Sequence, residues 1–423
     1  MNQKDYMPRL IDKRIENMLS TFGAVCIEGP KWCGKTWTSL GHCKSQVFLG
    51  DPTNNFQNRT LAQLDPSLIM EGNIPRLLDE WQEVPPIWDA VRYKVDQSGQ
   101  KGQFILTGSA TPNHKGILHS GAGRIARVKM STMSLFESKD SSGQVSLINL
   151  FDDKQDNILT GKVDLKHLIN LTVRGGWPGS LNVPTSMASE LPKSYLDAVI
   201  ADDVFKLDGI NRDLTKMQLL LKSLARNEST TASNRKLKND VKEMDDDIDV
   251  NTIAEYLNIF QRLFLISNQP AFSSNIRSSV RVKQAEKRHF IDPSLTCAIL
   301  GATPEILYKD LNTYGFLFEA MCERDLKIYA ETIMGKLYHY QDYNGNEIDA
   351  VIELQDGRWG AFEIKLGANQ IDLAADNLLA INQEIKKDGS KAPSVLCVIC
   401  GMTNAAYKRP DGVYVVPITA LKD

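Results

Sequence analysis

The sequence predicts an α/β protein: a parallel sheet built around a phosphate-binding loop, then a helical module, then a second α/β unit. Three observations support this fold class. An apolar run over 22–28 leads into Gly29-x-x-x-x-Gly34-Lys35-Thr36 and then into a helical pattern over 37–43, which is the strand–loop–helix setting of a P-loop NTPase. Short apolar runs then alternate with helical patterns as far as residue 109. Strand-like segments with internal charges return over 337–366.

Length and composition are those of an ordinary globular chain with more than one domain. At 423 residues it is too long for one hydrophobic core, so two or three domains are expected. Lys and Arg number 49 against 52 Asp and Glu, so the net charge of −3 does not point to nucleic acid, although a local basic patch stays open. No apolar run reaches the roughly 18 residues of a membrane span, and no membrane partner is expected. Residues 1–5 lack a signal-peptide core and the seven cysteines lack framework spacing, which favours a reducing cytoplasm.

The glycine-rich loop predicts a site for ATP and Mg²⁺. Its glycines let backbone N–H groups converge on phosphate oxygens at a helix N-terminus. Lys35 is expected to reach the β- and γ-phosphates, and the Thr36 hydroxyl to ligate Mg²⁺. The alternative is a tight glycine turn with a solvated lysine. The residues expected to bind nucleotide are Gly29, Pro30, Lys31, Trp32, Cys33, Gly34, Lys35, Thr36 and Trp37.

A short apolar strand over 74–78 ends in Asp79-Glu80, about 45 residues after the P-loop lysine. Asp79 is expected to hold the Mg²⁺ shell, and Glu80 to polarise the attacking water as general base. A buried strand over 103–106 ends in Thr107 and Ser109. Ligands of parallel sheets lie at the carboxyl ends of the strands, so these two hydroxyls are expected beside the γ-phosphate. Helix or turn capping is their alternative role.

Together with two later segments, these motifs resemble the AAA-type P-loop ATPases of bacteria and archaea that carry a C-terminal domain of unknown function. The resemblance implies an additional strand between the P-loop strand and the Asp-Glu strand, and a polar sensor at Thr107 or Ser109. It also implies an arginine finger near Arg124, acting in its own subunit or in a neighbouring one, which would require a homo-oligomer. Arg127 competes for that role, and Arg124 is favoured because it follows a glycine. The matching motifs are Gly29-x4-Gly34-Lys35-Thr36, Leu77-Leu78-Asp79-Glu80-Trp81-Gln82, Ile105-Leu106-Thr107-Gly108-Ser109, Gly123-Arg124 and Ser134-x-x-Glu137.

The middle of the chain predicts helices and a domain boundary. Residues 138–157 are mostly polar and are expected to form a boundary or lid loop. Helical patterns follow, and the first ends at Arg174-Gly175-Gly176-Trp177-Pro178, a helix stop before a rigid turn. A strand-like segment over 280–283 and the basic run 287–289 resemble a winged helix-turn-helix, which implies DNA as a partner. A structural module or a protein docking face is the alternative, because the basic residues are few.

The C-terminal unit places charged residues inside apolar strands. Asp349, Glu363 and Lys365, with Glu319 from a preceding helix, resemble the PD-(D/E)XK endonuclease core. The resemblance implies a metal site at Glu319, Asp349 and Glu363, with Lys365 positioning water or steadying the scissile phosphate. Asp349 faces Glu363 only if paired positions sum to 712, with Gly357 at the left-handed position of the connecting loop. A degenerate fold with structural charges is the alternative.

These features predict an enzyme that binds and hydrolyses ATP with Mg²⁺ and uses the ATP cycle to control a DNA- or protein-binding C-terminal region. The expected domains are an AAA-type ATPase over 1–150, a helical lid and winged-helix-like module over 151–300, and an endonuclease-like domain over 301–423. Two alternatives stay open. One is an ATP-regulated, metal-dependent nuclease, and the other is a non-catalytic, nucleotide-gated binding switch.

Overall fold

The structure, a computed structural model, describes residues 6–111, 117–184, 187–242, 248–342, 345–387 and 389–423. The described helices are α1 (Asp12–Thr21), α2 (Lys35–His42), α3 (Thr53–Leu64), α4 (Ile87–Ser98), α5 (Leu147–Phe151), α6 (Leu165–Arg174), α7 (Glu190–Ala198), α8 (Val204–Lys206), α9 (Leu214–Arg226), α10 (Asn234–Lys242), α11 (Val250–Arg262), α12 (Val280–Lys283), α13 (Pro293–Leu300), α14 (Pro304–Lys309), α15 (Leu311–Thr332) and α16 (Ile371–Lys387). A π-helical turn over Val199–Asp203 joins α7 to α8.

The described strands fall into two large sheets and one small one. They are β1 (Ala24–Glu28), β2 (Ser45–Phe48), β3 (Arg76–Asp79), β4 (Phe104–Gly108), β5 (Ile125–Lys129), β6 (Val145–Ser146), β7 (Ile158–Leu159), β8 (Lys336–Gln341), β9 (Glu347–Glu353), β10 (Trp359–Lys365), β11 (Val395–Cys400), β12 (Ala405–Lys408), β13 (Tyr414–Pro417) and β14 (Leu421–Lys422).

The first sheet is parallel and has the order β2-β3-β4-β1-β5. Strand β4 lies between the P-loop strand β1 and the Asp-Glu strand β3, so the additional strand implied by the resemblance is confirmed. In register, Glu28 pairs with Gly108 and Phe48 pairs with Asp79. The carboxyl ends of β1, β3 and β4 therefore meet at one edge, where open α/β sheets bind their ligands.

Both faces of this sheet are covered, which explains why β1 and β4 read as continuous apolar runs. Every residue of the two strands is buried. On one face Leu78 and Leu106 pack with Trp81 and Trp88 in one cluster. On the other face Val25, Ile27, Leu77, Ile105 and Val128 pack in a second cluster. Strands buried on both faces lose the alternation of a half-exposed strand.

The second large sheet has the order β7-β12-β13-β11-β10-β9-β8 and mixes parallel and antiparallel pairs. In the antiparallel pair β9–β10, Ala350 lies opposite Phe362 and Trp359 opposite Glu353, so paired positions sum to 712 as expected. Gly357 in the connecting loop has φ 78°, which confirms the left-handed position. The sequence also predicts an Asn344-Gly345 turn before β9, and Asn344 lies outside the described residues.

Two sequence expectations are wrong. Residues 138–157 are not a boundary loop, because β6 pairs with the C-terminal strand β14 and α5 buries Leu147, Leu150 and Phe151. The strand-like segment Val280–Lys283 is the short helix α12. Val282 is 86% exposed there, so the alternating pattern has no apolar face packed against the core, and a short helix forms instead.

The chain divides into two compact units made of interleaved segments. The first comprises Met1–Thr132, Ala198–Arg212 and Asn258–Leu265, and the second comprises the rest. The three consecutive domains expected from the sequence stay a prediction. Within the described residues, no helix is both long and apolar enough to span a membrane.

Candidate functional site

The P-loop has the backbone geometry that its two glycines predict. Gly34 has φ 102° immediately before α2, a conformation that side chains rarely allow. A Cβ on Gly29 would lie 2.2 Å from the carbonyl oxygen of Met130, so only glycine fits the close approach of the two segments. The loop between them lies at the carboxyl end of β1 and the N-terminus of α2, where backbone N–H groups attract anions.

Lys35 points back into the loop. Its buried ammonium donates to the carbonyl oxygens of Gly29 at 3.0 Å and Pro30 at 2.8 Å. Cys33 is buried beside it, and Trp37 is half-buried in the first turn of α2. Trp32 is 59% exposed and has φ 65°, so the loop presents an aromatic ring to solvent. All the residues expected to bind nucleotide therefore lie on one loop and the turn that follows it.

Three oxygen-bearing side chains from three elements meet beside the loop. Thr36 Oγ1 donates to Asp79 Oδ1 at 2.9 Å, and Thr107 Oγ1 donates to the same oxygen at 2.7 Å. Burial raises the pKa of Asp79 above its ordinary value, and the neighbouring charge of Glu80 raises it further, against the hydrogen bond from Thr107. The structure thus brings together α2, β3 and β4 at the one carboxylate predicted to hold Mg²⁺.

Glu80 is held in an unusual backbone conformation beside that carboxylate. It has φ 57°, and its N–H donates to Thr107 Oγ1 at 2.9 Å. Ser109 Oγ donates to Glu80 Oε2 at 2.9 Å, and the Gln82 amide donates to the same oxygen. A non-glycine residue in the left-handed region is strained, and such strain concentrates at functional sites. Thr107 and Ser109 are hydrogen-bonded to Asp79 and Glu80, and their role beside the γ-phosphate stays a prediction.

The two candidate arginines lie elsewhere on the sheet. The carbonyl of Arg124 accepts a hydrogen bond from Ala24 N at the start of β1, and its guanidinium pairs with Asp96 at 2.6 Å. Because a strand rises about 3.3 Å per residue, roughly 15 Å of β1 separates Arg124 from the P-loop. Within one chain, Arg124 is therefore not beside the loop. Arg127 lies in the middle of β5 and pairs with Glu28 at 3.1 Å.

The structure adds three residues that the sequence did not single out. Arg9 is buried and donates to Cys33 O in the P-loop at 2.7 Å. Asp203 pairs with Lys31 of the loop at 2.6 Å. Arg262 accepts from Thr111 N at 3.0 Å and donates to Thr111 O at 3.1 Å, two residues beyond Ser109. No local motif marks these positions, since they come from before the P-loop and from well over a hundred residues after it.

In the second unit, a buried lysine holds the helix carboxylate of the candidate metal set. Glu319 and Glu323 lie one turn apart on α15, and the ammonium of Lys287 bonds both, with 2.8 Å to Glu323 Oε1 and 3.2 Å to Asp349 O. Burial raises the pKa of Glu319 and of Glu323 to about 7, against the pull of Lys287. On Lys287 the carboxylates outweigh burial and raise its pKa, so the group stays an ammonium.

A second lysine engages the two strand carboxylates. Lys365 Nζ lies 3.1 Å from Asp349 Oδ2 and 2.6 Å from Glu363 Oε2. Burial and the charge of Asp349 raise the pKa of Glu363 to about 7. Burial alone would raise the pKa of Asp349, but Lys287 and Lys365 outweigh it and hold that pKa below its ordinary value. Across the described ranges, no three His, Cys, Asp or Glu side chains are arranged as a metal site, so the metal role of this group stays a prediction.

The basic run expected at a nucleic-acid surface is buried. Arg288 donates to Ala232 O at 2.9 Å and to Asn234 Oδ1 at 2.7 Å. His289 lies 3.0 Å from Glu228 Oε1 through Nδ1 and 3.2 Å from Glu323 Oε2 through Nε2. Lys287 is also buried and pairs with two acids of α15, so none of the three side chains faces solvent. The basic run therefore does not support a DNA-binding wing.

Three stretches of the chain match family profiles. Residues 21–139 match a family described as an AAA domain. Residues 165–306 match a domain of unknown function, DUF8612, and residues 314–421 match another, DUF4143. The first match agrees with the parallel sheet and the loop after β1, and it supports a P-loop ATPase fold for this stretch. The last match agrees with the C-terminal domain of unknown function that the resemblance implied, and it does not describe an endonuclease.

The chain is also similar to two uncharacterized proteins and to one solved structure. Two uncharacterized proteins, from Mycobacterium tuberculosis and Mycobacterium bovis, are each 23% identical over 357 residues, which is 83% of this chain and 72% of theirs. Among solved structures, a Walker-type ATPase of Pyrococcus abyssi is 12% identical with a TM-score of 0.44. That match covers 70% of this chain and 97% of the Pyrococcus chain.

Proposed function

We propose that this protein binds ATP in the loop Gly29–Trp37 and hydrolyses it with Mg²⁺. The observation that supports this most is the meeting of Thr36, Asp79 and Thr107 beside Lys35 at the carboxyl edge of the sheet. Hydroxyl and carboxylate oxygens are the ligands Mg²⁺ prefers, and Thr36 and Asp79 supply one of each. The bound ion would neutralise charge that develops on the phosphates.

The protein's own side chains have distinct roles in the proposed reaction. Lys35 exchanges its carbonyl partners for phosphate oxygens when ATP enters the loop. Glu80 takes the proton of the attacking water, since its carboxylate is aimed by Ser109 and by Gln82. Thr107 fixes the backbone of Glu80 and the side chain of Asp79 with one hydroxyl, so base and metal ligand move as a unit.

Arg124 acts, in this proposal, only on the nucleotide of a neighbouring copy. Its place at the amino edge of the sheet faces it away from the loop of its own chain. A finger supplied in trans would make hydrolysis depend on protein concentration, because only an oligomer completes the site.

The test is steady-state ATP hydrolysis by Lys35→Ala, with Lys44→Ala as the matched control on an exposed lysine that follows α2. We expect Lys35→Ala to lose hydrolysis and Lys44→Ala to retain it. Full Mg²⁺-dependent hydrolysis by Lys35→Ala would contradict the proposal. Single- and double-stranded DNA are added in parallel, because stimulation of turnover by either one would identify the partner of the ATP cycle.

For the rest of the chain we propose a helical module over 151–300 and a C-terminal domain over 301–423 whose binding to DNA or protein follows the ATP cycle. A second candidate function, metal-dependent DNA cleavage, is favoured by the register that sets Asp349 and Glu363 side by side with Lys365 between them. Cleavage that Glu363→Ala abolishes without affecting ATP hydrolysis would support it. No cleavage by the unaltered protein with Mg²⁺ or Mn²⁺ would eliminate it. Slow hydrolysis with ATP-dependent retention of a partner would favour a switch instead.

A further inference from the structure

A P-loop lysine is engaged by an acid from a distant part of the chain. Lys31 lies between the two loop glycines, and its ammonium is 2.6 Å from Asp203 Oδ1. Its side chain is 44% exposed, whereas that of Asp203 is only 11% exposed. Both residues belong to the same compact unit, which groups the segment Ala198–Arg212 with Met1–Thr132. The lysine is thus the accessible partner, and the acid is the buried one.

Asp203 is the last residue of an irregular helical turn. The turn Val199–Asp203 is π-helical and stands between α7 and α8. Single π-helical turns are rare and are found frequently at functional sites. A buried carboxylate needs a cation or hydrogen-bond donors, so loss of Lys31 would leave Asp203 poorly compensated where it now lies.

We infer that Asp203 and the terminal phosphate of ATP compete for Lys31, so that nucleotide binding is coupled to the π-helical turn. This inference rests on the proposed ATP site. Phosphate oxygens in the loop would lie among its backbone N–H groups, close to the Lys31 side chain. A triphosphate carries more charge than a diphosphate and offers the terminal oxygens that draw an ammonium. Lys31 therefore leaves Asp203 for ATP, and stays with Asp203 when ADP is bound.

The segment that carries Asp203 also reaches the hydrolytic side of the site. Asp208 forms a two-bond pair with Arg212, each bond at 2.8 Å, and lies 4.0 Å from Arg262. Arg262 in turn holds the backbone of Thr111 on the loop after β4. A shift of the π-helical turn would therefore displace the backbone near Ser109, whose hydroxyl orients the Glu80 carboxylate. The Lys31–Asp203 ion pair therefore responds to the terminal phosphate. The segment after Asp203 couples that response to the loop after β4.

Equilibrium binding of ATPγS and of ADP, each with Mg²⁺, tests the competition. The variant is Asp203→Asn, which keeps shape and removes charge, and the control is Asp202→Asn on the exposed neighbouring acid. We expect Asp203→Asn to bind ATPγS about two- to fivefold more tightly, the range for a partly exposed ion pair, and to bind ADP as before. Asp202→Asn should bind both nucleotides like the unaltered protein. In a Lys31→Met background, Asp203→Asn should no longer change the ratio of the two affinities.

Hydrogen exchange of peptides over 198–212 gives a second, structural readout. Coupling is reciprocal, so ATPγS should speed exchange there in the unaltered protein and leave Asp203→Asn unchanged. Equal ratios of ATPγS to ADP affinity in Asp203→Asn and the unaltered protein would overturn the inference while leaving the ATP site intact. Absence of a nucleotide effect on exchange in the unaltered protein would also overturn it. If the unaltered protein binds neither nucleotide, the proposed function fails, and the inference fails with it.

Discussion

Thr107→Val tests the hydroxyl that links Asp79 to Glu80 in the candidate ATP site. Thr107 is fully buried, and its hydroxyl makes two contacts at once: it donates to Asp79 and accepts from the N–H of Glu80. Valine keeps the branched shape and replaces the hydroxyl with a methyl group. The change therefore removes two hydrogen bonds without opening a cavity, and Lys35 and the loop are left untouched.

The expected size follows from the partners of the lost hydroxyl. A hydrogen bond to a charged group is worth about 1.5–3 kcal/mol, and a buried N–H left without an acceptor costs a further amount of about 1–3 kcal/mol. Glu80 then has less to hold its strained φ of 57°. If the poorer orientation of Glu80 removes about 1.5–3 kcal/mol of transition-state stabilisation, kcat falls roughly 10- to 100-fold. KM for ATP should stay within about twofold, because binding rests on the loop.

The assay is steady-state ATP hydrolysis, with Thr107→Ser as the matched control. Serine restores the hydroxyl and removes only a methyl group, so it should recover most of kcat. Unchanged kcat in Thr107→Val would refute the reasoning. So would an increase in KM like that expected for Lys35→Ala, because the hydroxyl would then serve binding and not the orientation of Glu80.

The remaining predictions concern the buried charges of the second unit. Lys287→Met should lower the free energy of unfolding by about 3–5 kcal/mol, because two buried carboxylates lose their ammonium. The denaturant midpoint measures this loss, and Lys283→Met, at an exposed lysine, is the control. Equal midpoints for the two variants would contradict the prediction. Burial raises the pKa of Glu323 to about 7, whereas an unfolded glutamate has a pKa of about 4.3, so the folded chain holds this proton more tightly. The contribution of Glu323 to stability is therefore present below about pH 4 and lost as the pH rises to about 7, by up to roughly 1 kcal/mol per unit. Glu319 and Glu363, whose pKa values are also raised to about 7, contribute in the same direction. Glu323→Gln should therefore reduce the pH slope of the unfolding free energy across pH 4–7, and an unchanged slope would show that Glu323 does not titrate there.

The candidate site could be predicted where a short motif and a strand end coincide. Gly29 and Gly34 are demanded by local geometry, and strands buried on both faces stand out as apolar runs. Parallel strands bring their carboxyl ends to one edge, so the meeting of Asp79 with Thr107 follows once the strand order is known. The β9–β10 register also agrees with the sequence pattern, because the pairing that sets Asp349 opposite Glu363 places apolar residues together on the other face.

Other features depend on contacts that no local pattern records. Asp203 is one of several acids in a helical pattern, and nothing in that pattern shows that it lies against Lys31 in the folded chain. The basic run at Lys287 reads as a surface patch, yet Lys287 pairs with two acids of α15 and His289 lies against Glu228 inside the protein. Charge in a sequence does not tell a solvated face from an internal ion pair, because the partner is distant along the chain.

The partners of the two carboxylate groups decide which is better suited to a divalent cation. Asp79 is contacted by neutral hydroxyls from Thr36 and Thr107, which can turn toward a bound ion without leaving a charge unbalanced. Glu319 is instead bonded to the buried ammonium of Lys287. A metal ion at Glu319 would have to displace the ammonium of Lys287. Separating that buried ammonium from its carboxylates is costly, and this cost opposes metal binding. A divalent ion should therefore enter the P-loop site more readily than the C-terminal cluster.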